Sequence, residues 1–276
     1  MRIFLSISCL LICLQVYGQK NAWKNKSEAR WENFENGTRL LASNDNLLPV
    51  TYIVDVKIKN LKQSVSNGTL VVIPPGASDS VVFEFIKIDP KKGWDVKNNT
   101  LSYYGDLSDT EYDADYVYDL PFENGASFKV AQGYGGTISH QNKFAIDFNT
   151  PVNTTVHAAR EGLVVEVVEN NVRSCDQPSC ADFNNYVKIL HSDGTIMQYL
   201  HLKRNGSAVK AGEMVNKGDL IGYSGNTGWS TGPHLHIDLY LTGKDNKYQT
   251  LKTKFKIQKG EISEELIKGE IYTKDY

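Results

Sequence analysis

The chain has 276 residues, with 30 Lys and Arg against 32 Asp and Glu and a net charge of −2 with neutral histidine. That balance offers no basic surplus for a nucleic-acid backbone, so no nucleic-acid partner is expected. The length suffices for two domains, and four cysteines and six histidines can be weighed one by one.

Met1 to Gly18 places one basic residue, Arg2, before an apolar run from Ile3 to Val16, and the polar Gln19-Lys20-Asn21 follows. This pattern predicts a secretory signal peptide cleaved near Gly18, too short to span a bilayer. A secreted or periplasmic protein without a transmembrane segment is expected. Cys9 and Cys13 leave with the leader, so Cys175 and Cys180 remain. An oxidising exterior favours a disulfide between them, whereas a zinc-thiolate site would need two more soft ligands that the surrounding sequence lacks.

Residues 21–46 are polar with scattered aromatics and read as irregular. Alternating runs over 50–58, 69–73 and 80–88, separated by Pro74-Pro75-Gly76 and similar turns, predict a small antiparallel β-sandwich-like domain. Nothing in it looks catalytic. Three roles stay open for it: glycan binding, a cover over an active-site groove, or a spacer. The acidic, tyrosine-rich stretch from Asp113 to Asp119 marks a domain boundary. Short alternating runs continue to the C-terminus, and Ser263 to Lys268 is the one short stretch with a helical pattern.

Within that second half, alternation over Ala145-Ile146-Asp147-Phe148 puts Asp147 opposite Ile146 and Phe148. A carboxylate in such apolar company needs a hydrogen bond, a charge partner or a metal. Residues 186–202 predict a hairpin around Ser192-Asp193-Gly194-Thr195, and strand parity gives Tyr199 and His201 a common face. His191, at the turn end, reads as a structural brace, and His157 as structural too. The glycine-rich Ser224 to Gly232 then runs into His234-Leu235-His236-Ile237. On a strand both histidines face one way while Leu235 and Ile237 face the core.

His140 with Asp147, Tyr199-Leu200-His201-Leu202, and Ser224-Gly225-Asn226-Thr227-Gly228 leading to His234-Leu235-His236 resemble, in order, the signature of lysostaphin-type (LytM-like) zinc metallopeptidases. The likeness covers about residues 119 to 256. The whole chain is expected to be all-β, with a signal peptide over 1–18, an N-terminal β-rich accessory domain over 19–118 and a C-terminal extension over 257–276; the resemblance implies an antiparallel β-sheet peptidase domain with an open groove over 119–256.

Position by position, it makes His140, Asp147 and His236 the ligands of one Zn²⁺ and His201 and His234 the catalytic pair. Two imidazoles and a carboxylate leave a fourth position for water, whose pKa zinc lowers to about 7. Tyr199 either adds a hydrogen bond to the transition state or packs. The Cys175–Cys180 loop is expected to shape a groove wall, and the glycines at 133, 135 and 136 either form another wall or simply turn the chain.

The interval from His140 to Asp147 exceeds that of the most familiar members, so the loop from Gln141 to Phe144 must fold back to deliver His140. The implied function is hydrolysis of peptidoglycan peptides by zinc-activated water. The alternatives are a non-catalytic LytM-like module that binds cell wall or activates an amidase, and a metal-dependent carbohydrate-binding protein.

Overall fold

The computed structural model describes residues 27–108, 111–242 and 248–276, the Tyr248 side chain excepted. The expected leader at 1–18 lies outside them. Antiparallel strands dominate, and the helical segments among the described residues are two 3-10 turns, Pro178–Phe183 and Gln258–Gly260. The all-β expectation holds. No helix among the described residues is long and apolar enough to cross a membrane.

Most of the stretch expected to be irregular is a hairpin, in which Ser27–Phe34 pairs along its whole length with Gly37–Asn44. Ser27–Phe34 is an edge strand, largely exposed on both faces, so it carries no apolar alternation to betray it. Trp31 holds it to the core, 5.7 and 6.2 Å from the rings of Phe83 and Phe85. The run expected over 50–58 divides into Val50–Ile53 and Val56–Lys59, which pair in different sheets. The break is enforced locally: Val54 N–H donates to Thr69 O, and the Asn67 amide bonds both main-chain groups of Val56. Leu40, Tyr52, Val56, Ile73, Val82 and Phe83 share one apolar core.

The second half is built on a nine-stranded sheet. Its spatial order is Met214–Val215, Gly162–Val168, Tyr186–Leu190, Ile196–Leu200, Leu235–Thr242, Ala145–Phe148, Ser127–Gln132 and Ile271–Thr273, with Tyr248–Leu251 pairing the far half of Leu235–Thr242. Alternation works as it should on the central strands. Ile146, Phe148, Val187, Ile189, Met197, Tyr199, Leu235 and Ile237 face one core, which Val156, Leu202 and Ile221 of the smaller sheet cover. The predicted hairpin is present, Tyr186–Leu190 against Ile196–Leu200. Residues 257–276 fold back onto this half: Ile257, Leu266 and Tyr272 enter its core, and Ile262–Glu264 pairs with Lys254–Ile257 as a strand. The helical pattern over 263–268 gives way to that pairing.

Cys175 and Cys180 form the expected disulfide. Ser174–Cys175 runs parallel to Gly228–Trp229, and Trp229 Nε1 donates to Asp176 O, so the bridged loop braces the glycine-rich segment.

His191 sits buried at the hairpin turn, where its Nδ1 donates to Glu161 O at 2.8 Å and its Nε2 has no hydrogen-bond partner. Burial pushes its pKa down to about 4. The folded state therefore holds the ring neutral while the unfolded chain protonates it near pH 6.5. The stability this contributes is complete above about pH 6.5 and is lost as pH falls towards 4, by about 3 kcal/mol. Urea unfolding of wild type and His191→Phe at both ends of that window should show the wild type losing the additional stability; parallel losses would contradict it.

Candidate metal centre and groove

Register places the first pair. Asp147 on Ala145–Phe148 is the direct cross-strand partner of His236 on Leu235–Thr242, and both side chains leave the sheet opposite Ile146, Leu235 and Ile237. His140 reaches them from a loop. His140 N–H donates to Gly136 O and Lys143 N–H to His140 O, which folds the long interval back over the sheet. The glycines near 133–136 thus serve as turn residues that place His140. His140 Nε2 lies 3.2 Å from His236 Nδ1 and 3.2 Å from Asp147 Oδ1, and His236 Nδ1 lies 2.8 Å from Asp147 Oδ1. All three residues are buried.

The hydrogen bonds behind these atoms decide their character. His140 Nδ1 lies 3.0 Å from Gly133 O, which can only accept, so in the neutral ring the proton sits on Nδ1 and Nε2 presents a lone pair. His236 Nε2 lies 3.0 Å from Asp238 Oδ2, and Gln198 Nε2 donates to both Asp238 oxygens at 2.9 and 2.8 Å. Asp147 accepts from Gln132 Nε2 at its other oxygen, 2.9 Å away. Each inner atom is thereby turned as an electron-pair donor towards the other two. Three mutually facing donors repel unless a cation lies among them, and their outer partners fix ring tautomer and orientation as in protein metal sites generally. The donor set fits a metal ion.

Two strong local fields follow from the same geometry. Burial would raise the Asp147 pKa, yet protons carried on the facing nitrogens of His140 and His236 hydrogen-bond to its carboxyl and hold it far below the usual range; a cation among the three atoms takes the place of those protons. Burial would lower that of His236, yet hydrogen bonds to Asp147 and Asp238 raise it to about 9.

His201 and His234 stand beside this cluster, their rings 4.3 Å apart. His201 Nδ1 lies 2.7 Å from Thr227 O and His234 Nδ1 lies 2.8 Å from Gly232 O, so both neutral rings carry their lone pair on Nε2. His234 Nε2 is 3.8 Å from Asp147 Oδ1. Burial pushes His201 down to about 3 and lowers His234, so both are neutral at neutral pH.

Parity does not hold at His201. Its φ of 64° ends the Ile196–Leu200 strand and swings the ring to the groove, while Tyr199 stays in the core with its hydroxyl accepting from Ala159 N–H at 2.8 Å. Tyr199 packs and does not reach the site. The left-handed backbone at a non-glycine costs about 1 kcal/mol and is retained where surrounding contacts over-determine it. Here Leu202 N–H donates to Asn185 O, and Thr227 Oγ1 donates to Leu202 O.

His157 and His191 lie elsewhere, bonded to Gly218 O and Glu161 O. Asp147, His201, His234 and His236 line one groove of about 400 Å³, and His140 is buried behind it, 3.2 Å from His236. Ile138, Ser139 and Lys143 flank one side of it, and Asn184 with Trp229 to Pro233 flanks the other.

Sequence reasoning did not identify Gln132, Gln198 or Asp238. Parity alone exposes Asp238, two residues after His236 on the same face. Gln198 and Gln132 emerge only from register, as the cross-strand neighbours of Asp238 and Asp147.

Residues 141–248 match the family model described as Peptidase family M23, a segment that begins one residue after His140 and includes the other four positions. An uncharacterized metalloprotease of Buchnera aphidicola subsp. Baizongia pistaciae is 27% identical over 241 residues, covering 82% of this chain and 60% of that protein. The peptidoglycan DD-endopeptidase ShyC of Vibrio cholerae is 39% identical over 107 residues, 38% of this chain and 22% of that protein. Lysostaphin of Staphylococcus simulans is 32% identical over 124 residues, 44% of this chain and 23% of that protein. The chain thus spans from about a fifth to three-fifths of the length of these relatives. Among solved structures, the catalytic domain of lysostaphin from Staphylococcus simulans is 27% identical, covers 46% of this chain and 88% of that one, and has a TM-score of 0.34.

Asp238 and Gln198 hold His236 without touching the other donors. Asp238→Asn should therefore weaken metal binding about tenfold to a hundredfold in a chelator competition while leaving the fold intact by circular dichroism. Unchanged affinity would show that the pair does not orient the ring.

Proposed function

We propose, from the premise that the chain carries a Peptidase M23 domain, that it is a secreted zinc metalloendopeptidase acting on peptides of peptidoglycan. The observation that carries the reading is the convergence of His140 Nε2, Asp147 Oδ1 and His236 Nδ1 beside the Nε2 lone pairs of His201 and His234. Bonds of about 2.0–2.2 Å in a tetrahedron separate ligand atoms by about 3.3–3.6 Å; both His140 separations, 3.2 Å, approach this, the 2.8 Å between His236 Nδ1 and Asp147 Oδ1 has to widen by about 0.5 Å, and a nitrogen and oxygen set with no thiolate suits zinc with an open position. His140, Asp147 and His236 would hold the ion, which when bound supplies an activated water and polarises a carbonyl.

The chain's own groups do the rest. His201 and His234 present unprotonated Nε2 atoms to the groove at neutral pH, ready to take a proton from the attacking water. Once protonated, either becomes a donor for the oxyanion or for the leaving amine. Thr227 O and Gly232 O keep both rings in the productive tautomer by occupying Nδ1. The walls align an extended peptide.

The substrate class rests on relatives, among them a peptidoglycan DD-endopeptidase and a glycyl-glycine endopeptidase of Staphylococcus capitis. Export rests on the leader-like Met1 to Gly18 and agrees with the Cys175–Cys180 disulfide.

Purified sacculi incubated with the protein should yield new amine termini, and a chelator should stop their release. His234→Ala should lower turnover at least about a hundredfold while the protein keeps its metal. Binding to sacculi without new termini would instead indicate a non-catalytic wall-binding module, and loss of metal from His234→Ala would exchange the roles of His234 and His236.

A further inference from the structure

The face of the sheet that carries the groove continues beyond it. His236, Asp238 and Tyr240 share that face on Leu235–Thr242, as do Leu200, Gln198 and Ile196 on the neighbouring strand. The first two of each set line the groove. The third of each, Tyr240 and Ile196, are 1% and 2% exposed, so whatever buries them stands on the groove face. Leu48 does this, packing with Tyr240, Ile196 and Val165, with Leu47 alongside.

Two further contacts belong to the same wall. Gly105 lies so close to Thr242 that an added Cβ would come within 2.9 Å of the threonine Cβ. The ion pair of Lys188 and Glu166, 2.9 Å apart and in the same cross-strand row as Gln198 and Asp238, is also buried. Tyr104, from the same N-terminal region as Leu48, lies within the field of the Glu166 carboxylate.

We propose that residues 27–108 close one end of the groove and make it blind, so that the site selects peptides with one short arm. The inference rests on the peptidase reading. The side walls steer an extended peptide along the strands, and from His236 to Tyr240 the strand rises about 13 Å, room for about four extended residues past the metal centre. A branch or chain end fits that space. An internal bond of a long polypeptide does not, because one arm would have to pass through Leu48. The N-terminal region is therefore part of the specificity machinery, neither a detachable spacer nor a lid over the metal centre.

The test uses a crosslinked stem-peptide dimer that the full chain cuts, resynthesised with about eight alanines, roughly twice the available length, added to the arm on the acyl side or on the amine side of the scissile bond. One extended substrate should lose at least about tenfold in kcat/KM while the other keeps the parent value. Leu47→Ala, at a partly buried position in the wall, should recover part of that loss. Equal cutting of both extended substrates, equal loss for both, or no recovery in the variant would each overturn the blind end. Failure to cut the unextended parent would mean instead that the peptidase reading is wrong, and this inference would fall with it.

Discussion

The pairing of Ala145–Phe148 with Leu235–Thr242 is the constraint on which everything at the site depends. In this register Asp147 faces His236 across adjacent strands, where directly opposed side chains start about 5 Å apart. A slip of one residue would turn a carboxylate and an imidazole into the core and bring Ile146 or Leu235 out to water. Burial of the apolar partners thus fixes the geometry of the polar ones. Leucine and isoleucine side chains stabilise by about 1.5–3 kcal/mol each when fully buried, so Ile146, Leu235 and Ile237 together favour this register by about 5–9 kcal/mol.

Main-chain carbonyls then settle the chemistry of the histidines. Gly133, Thr227 and Gly232 each occupy one ring nitrogen, leaving the other as a lone pair that faces the groove. His236 is the exception, because its outer nitrogen meets a carboxylate braced by Gln198. That stronger partner makes it the more electron-rich donor. The same sheet face, two strand residues further on, abandons polar chemistry and buries Ile196 and Tyr240 under Leu48. The geometry of the groove and the packing of the N-terminal residues therefore share a surface and a register.

Much of this was legible in the chain. Parity over His234 to Ile237 and Ala145 to Phe148 separated groove-facing from core-facing residues correctly, and the turn chemistry of Ser192 to Thr195 set the hairpin. Parity misplaced Tyr199 with His201, because a positive φ at a histidine leaves no trace in the pattern. It also passed over Gln132 and Gln198, whose importance comes from which strand lies beside theirs. Strand order depends on contacts distant in sequence. The Ser27–Phe34 edge strand was hidden for a related reason: with both faces largely exposed, its sequence needs no alternation, and its pairing with Gly37–Asn44 holds it in place.

X-ray absorption at the zinc edge of the loaded protein examines the convergence of His140, Asp147 and His236 most directly. The account predicts a first shell of nitrogen and oxygen at about 2.0 Å with outer scattering from two imidazoles, reduced to one in His140→Ala. A sulfur shell, or two imidazoles that persist without His140, would contradict it.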